Sequence, residues 1–208
     1  MMKRGYKRVF WGLILVIFNI NIGPVNILPD FMGYFLISIG LSTIRSEYEN
    51  DSFKLSAVIA NILGVYTLVA SLLAFANVGH DLSGNKFLGT GLTMLVSIAN
   101  LVMEYNILSG TISLFNNIGK TFEAEEMHKI QRNYTYLTVI ALFLMSVSFN
   151  ISNEIIVMAI LIYYLIIRIY YISVIRKIKK FFENEEILPE TEMQDDNFKD
   201  DNNEEEKL

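Results

Sequence analysis

The lysines and arginines of this 208-residue chain are spaced in a way that leaves few folds open. About six apolar runs can be drawn along it, and every second gap between them is rich in Lys and Arg. Lys3, Arg4, Lys7, Arg8, Arg45, Lys54, Lys120, Lys129, Arg132, Arg176, Lys177, Lys179 and Lys180 fall in one set of gaps. Lys86 alone falls in the other. Cytoplasmic loops of polytopic membrane proteins carry this kind of excess. The pattern predicts an all-α integral membrane bundle of about six transmembrane helices, with both termini cytoplasmic.

A spanning helix needs about 20 mostly apolar residues. The expected spans are 5–22, 29–44, 53–76, 87–115, 134–149 and 155–175. The first, second and fifth are short, and their basic or aromatic flanks extend them by snorkelling. The alternation fixes parity and nothing finer. A re-entrant hairpin over residues 5–44 returns to the side it entered from, just as two spans do. Two complete helices satisfy their own backbone hydrogen bonds in lipid, which favours the spans. A basic start before an apolar run also opens secretory signals. Here the run ends in Asn19-Ile20-Asn21-Ile22-Gly23-Pro24 without a small-x-small cleavage site, so a retained first span is expected.

The formal net charge of −5 misleads about the membrane part. Residues 183–208 hold twelve acids against Lys199 and Lys207, leaving ten acids and fifteen bases in residues 1–182. The tail cannot bury enough apolar surface to offset its ordering entropy, so a disordered cytoplasmic tail is expected there. Residues 116–133 are rich in helix formers of mixed charge and read as a cytoplasmic segment that extends a neighbouring helix. That segment and the tail are the sizeable soluble surfaces on which a protein partner would dock. No nucleic-acid partner is expected.

Chemistry is mostly excluded. There is no Cys, and the two histidines, His80 and His128, lie in different gaps, so thiolate and His-based metal sites are not expected. Gly-x-Ser-x-Gly and His-Glu-x-x-His are absent. Glu125-Glu126 invites comparison with membrane proteases of the Glu-Glu-x-x-x-Arg type, but Ile130 stands where the Arg belongs. No phosphate-cradling glycine loop is present. A non-enzymatic protein without a cofactor is expected.

The most distinctive local pattern is Asn19-Ile-Asn-Ile-Gly-Pro-Val-Asn-Ile-Leu-Pro-Asp-Phe-Met-Gly-Tyr34. Gly23-Pro24 stops one helix, and Pro29 suits the first turn of the next, where its missing N–H costs nothing. Asp30 then lies near the positive end of a helix dipole. One reading is a well-built tight turn. The other makes Asn21, Asn26 and Asp30 a polar mouth at the outer surface. The stretch Asn26-Ile-Leu-Pro-Asp-Phe-Met-Gly-Tyr34 resembles a motif, Asn-Ile-Leu-Pro-Asp-Phe-x-Gly-Tyr, of a group of uncharacterised small multi-pass membrane proteins of low-GC Gram-positive bacteria. The resemblance covers roughly residues 5–44. It implies a bacterial cytoplasmic-membrane protein and carries over no activity or catalytic residue.

Two ionisable residues fall inside expected spans, Glu104 in the fourth and Arg168 in the sixth. Glu104 is 11 residues before Phe115 and Arg168 is 7 before Ile175. With a rise of about 1.5 Å per residue the two depths differ by about 6 Å, within reach of an Arg side chain. A lone charge in lipid costs at least about 2.5–3.5 kcal/mol, so such residues usually face the interior and pair. A Glu104–Arg168 pair is one reading. Arg168 snorkelling to headgroups, a protonated Glu104, a Glu104 shifted outward by sliding of the long fourth segment, and a transport or proton-relay role are the others. Ser38-x3-Ser42, Ser109-x3-Ser113 and Gly89-Thr90-Gly91 are read as packing positions.

These features lead to a membrane-embedded partner or regulatory subunit acting by binding. The competing reading is a small solute or ion transporter that uses the Glu/Arg pair and the Asn/Asp mouth.

Overall fold

The structure is a computed structural model that describes residues 1–17, 21–22, 25–26, 30–75, 86–148 and 154–185. Among these, six helices follow one another: α1 (Met2–Ile17), α2 (Asp30–Arg45), α3 (Asp51–Phe75), α4 (Lys86–Asn117), α5 (Thr121–Ser148) and α6 (Glu154–Glu185). Between α1 and α2 sits a short antiparallel ribbon, β1 (Asn21–Ile22) and β2 (Val25–Asn26). Each helix packs on its neighbour in sequence, and α6 closes back on α1, so the bundle is a ring. At one end Tyr6 of α1 stacks on Phe182 of α6, with ring centroids 5.2 Å apart. Both described ends of the chain therefore lie at the same end of the ring, the one that carries most of the basic residues.

The expectation of six spanning helices is met by three. Asp51–Leu73, Gly91–Asn117 and Glu154–Asn184 are long and apolar enough to cross a membrane. α1 and α2 have 16 residues each, about 24 Å of helix against a hydrocarbon core of about 30 Å. α5 is long enough, but its first turns are charged.

The 116–133 segment extends a neighbouring helix as expected, since α4 stops at Asn117 and α5 starts at Thr121. Gly119 adopts φ +74°, and the Lys120 N–H donates to the Phe115 carbonyl, a left-handed helix stop that needs only three residues. One boundary moves: the last helix runs through residues 183–185, which were expected to begin the tail; the rest of the tail, a candidate partner surface, lies outside the described residues.

Solvent-facing side chains change character at one level of the bundle. α3 exposes Asp51 and Lys54, then Leu55, Val58, Ile62, Val65 and Leu72, with Asn61 the polar exception. α5 exposes Glu125, His128, Lys129 and Arg132, then Leu137, Ile140, Phe143 and Val147. α6 reverses the order, with Ile155 through Tyr170 followed by Ser173, Arg176, Lys177 and Lys180. Hydrogen bonds align the three changes. Ser56 donates to the Met103 carbonyl, Gln131 to the Tyr105 carbonyl, and Tyr171 to the Glu104 carbonyl. All three helices thus switch at the height of residues 103–105. The apolar belt on one side is far larger than a water-facing surface tolerates, and it supports membrane association. On the other side α4, α5 and α6 continue as a polar helical cap.

α1 and α2 approach unusually closely. Gly5 and Gly12 on α1 face Gly40 and Gly33 on α2, and a Cβ on Gly12 would lie 2.6 Å from the Gly33 carbonyl oxygen. Glycines spaced by seven on both helices let the backbones touch, as small residues do in lipid. Of the serine pairs expected to pack, Ser109 and Ser113 make polar bonds. Ser113 meets the Tyr48 hydroxyl at 2.8 Å, and Ser109 accepts from Gln131 at 2.6 Å. A Cβ on Gly91 would meet nothing within 4 Å.

Candidate functional site: a buried ion pair beneath a polar cavity

The interior of the ring is crossed by long side chains with polar tips. Helices on opposite sides are too far apart for backbone contact, and tyrosines bridge the gap. Tyr6 of α1 reaches Thr111 of α4 at 2.8 Å, and Tyr34 of α2 donates to Asn100 of α4 at 3.0 Å. A buried Tyr hydroxyl needs such a partner. α4 is the helix that α1, α2, α3, α5 and α6 all bond to.

At its centre the structure brings Glu104 and Arg168 together. Glu104 is fully buried and Arg168 nearly so. The Arg168 Nη1 donates to Glu104 Oε1, and the Tyr134 hydroxyl donates to Oε2. Tyr171 donates to the Glu104 backbone carbonyl at 3.2 Å, and its ring lies 4.8 Å from that of Tyr134. The Arg168 guanidinium also lies 5.6 Å from the centroid of the Tyr164 ring. Arg168 therefore turns inward and does not snorkel to a surface. Both carboxylate oxygens are engaged, so the charge is compensated where no water reaches it. The pair lies at the boundary of the apolar belt; the sequence placed Glu104 well within the fourth span and Arg168 in the inner half of the sixth.

Helical spacing explains the cluster. Tyr164, Arg168 and Tyr171 are four and three residues apart, so they share one face of α6. On α5, Gln131, Tyr134 and Thr138 do the same, and all three are buried. Sequence reasoning singled out the two charges and missed the tyrosines. The spacing around Arg168 was the available signal, hidden by the neighbouring Tyr163 and Tyr170.

Above the pair, away from the polar cap, lies a cavity of about 340 Å³. Asp30, Tyr34, Asn100, Tyr164 and Arg168 give it polar walls, and Val16, Ile17, Leu161 and Leu165 give it apolar ones. Asp30, one of the three residues of the expected mouth, thus shares a cavity with Arg168. Asn21 and Asn26 are partners across the β1–β2 ribbon; their side chains lie outside the described residues. Depth and chemistry suit a small molecule carrying both polar and apolar groups.

No family model, curated protein or solved structure matches this chain.

Proposed function

We propose that this is a six-helix integral protein of a bacterial cytoplasmic membrane, with both termini in the cytoplasm, that works by binding and not by catalysis. The Lys/Arg excess supports assigning the basic end to the cytoplasm. α1 and α2, whether they cross or turn back within the bilayer, return the chain to the side where it began. The resemblance of residues 26–34 to small membrane proteins of low-GC Gram-positive bacteria supports the compartment.

The role we assign is a membrane-embedded partner or regulatory subunit. One observation carries it: the polar cap at the basic end is built of packed helix, and Phe122 stands on it with 77% of its surface exposed. An apolar ring held out from a charged cap suits contact with a second protein. The buried pair supports the same reading, since every Glu104 oxygen is committed within the bundle. Affinity purification in mild detergent after cross-linking tests it. A specific second protein should accompany the wild type and be lost from Phe122→Ala. Isolation as a lone species, with Phe122 and the tail both dispensable for any phenotype, would count against it.

The cavity above Arg168 favours a second reading, a small transporter whose polar path runs from Asp30 to the ion pair. Glu104→Gln should then abolish flux in vesicles while expression persists, and unchanged flux would remove that reading.

A further inference from the structure

A second cavity, of about 580 Å³, lies between α4 and α5 and touches neither the ion pair nor the cavity above it. Its walls include His128, Lys129 and Arg132, with Tyr105 and Tyr136 beside them and Glu125 at one edge. The three basic side chains are exposed. Among the described residues, no carboxylate lies within ion-pair distance of Lys129 or Arg132.

Position identifies the ligand. The cavity straddles the level at which exposed side chains change from polar to apolar. Arg132 is the last exposed base before the belt, and Tyr136 is one turn beyond it. Tyrosines at that height suit the headgroup layer of a bilayer. Immediately outward, Val102 of α4, one turn before Tyr105, and Val139 and Ile140 of α5, one turn beyond Thr135 and Tyr136, are exposed. A molecule filling the whole feature needs a negative head against Lys129 and Arg132 and an acyl chain along those residues. We propose that this groove is a binding site for an anionic phospholipid of the cytoplasmic leaflet, its phosphate held by Lys129 and Arg132. Basic pockets between membrane helices hold headgroups in this way, each base near the surface contributing roughly a five-fold gain.

The test is native mass spectrometry of the full chain released from nanodiscs of equal phosphatidylglycerol and phosphatidylcholine. The wild type should retain phosphatidylglycerol preferentially. Lys129→Gln/Arg132→Gln should lower that preference about thirty-fold, from the two bases together. Lys177→Gln/Lys180→Gln, which removes the same charge elsewhere on the cap, should leave it unchanged. The variant sites are all exposed, and an unaltered melting temperature checks the fold. An equal loss in the Lys177/Lys180 control would overturn the proposal in favour of diffuse attraction. Displacement of bound lipid by millimolar glycerol phosphate would overturn it in favour of a soluble anion. A preference that emerges only after residues 186–208 are removed would assign the groove to the acidic tail instead.

Discussion

The single tryptophan of the chain can locate the membrane around the bundle. If the change from polar to apolar surface marks the inner edge of the hydrocarbon, the Glu104–Arg168 pair lies at that edge. Trp11, which is 49% exposed, lies there too. It sits one turn beyond Lys7 and next to Gly12, which packs on Gly33, and Tyr34 beside Gly33 bonds Asn100, one turn from Glu104. Phe143 is nine residues beyond Tyr134, the residue bonded to Glu104, so it lies about 14 Å further out. With a hydrocarbon core of about 30 Å, that is the midplane. Depth-dependent quenching by brominated phosphatidylcholines distinguishes the two heights. Wild-type fluorescence should be quenched best by bromines near the headgroup. Trp11→Phe/Phe143→Trp should be quenched best by bromines near the chain ends. Phe143 is 67% exposed, so an indole there costs little packing. A bilayer centred on the ion pair reverses both results, with Trp11 deep and the introduced indole shallow. That reversal would refute the argument from surface character.

Two further substitutions probe the backbone. Gly12→Val places a Cβ 2.6 Å from the Gly33 carbonyl and 2.7 Å from Ile37, so α1 and α2 must part by roughly 0.8 Å to restore ordinary contact. Overpacking of that size should cost about 1–3 kcal/mol, read as an earlier midpoint in detergent unfolding, whereas Trp11→Phe on the exposed side of α1 should leave the midpoint unmoved. Gly119→Ala meets no neighbour within 4 Å, so its expected loss of about 1–2 kcal/mol comes from the positive φ alone. Gly119→Asn, which tolerates that conformation better, should lose less in the same assay.

Helix content and the two interior charges were legible because each leaves a local mark: apolar runs, and ions where lipid penalises them; the expected stop at Gly23-Pro24 lies outside the described residues. The missed parts depend on pairing between distant segments. Seven-residue glycine spacing in α1 and α2 means little until the helices are antiparallel, when Gly5 finds Gly40 and Gly12 finds Gly33. Residues 116–133 read as an extension of a neighbouring helix because they are rich in helix formers, and it is the stop at Gly119 that assigns most of them to α5. Tyr134 and Tyr171 look like ordinary interfacial tyrosines until Glu104 places both hydroxyls. The depth of the pair turns on a related point. Span limits drawn from hydropathy include residues 106–115 of α4, which are mostly buried among other helices, so their apolar character does not by itself mark contact with lipid.

That placement bears on why an ion pair is kept at all. Burying two charges removes hydration that their attraction barely restores, so a well-packed apolar substitute is often as stable or more so. Removing one partner is different, since it strands the other charge and costs about 3–5 kcal/mol. If the attraction between Glu104 and Arg168 does no more than offset their own burial, Glu104→Leu/Arg168→Met should be harmless in every assay. If they fix which faces of α4, α5 and α6 meet, the double variant should melt no lower than wild type yet lose order. Tyr134 would then have lost its acceptor, while Tyr171 keeps the backbone carbonyl of residue 104. Hydrogen exchange separates the outcomes. Faster amide exchange across residues 124–138 and 164–178, at an unchanged melting temperature, supports the pair as a device for register. Unchanged exchange refutes it, and a large drop in melting temperature would show the pair to be a net source of stability.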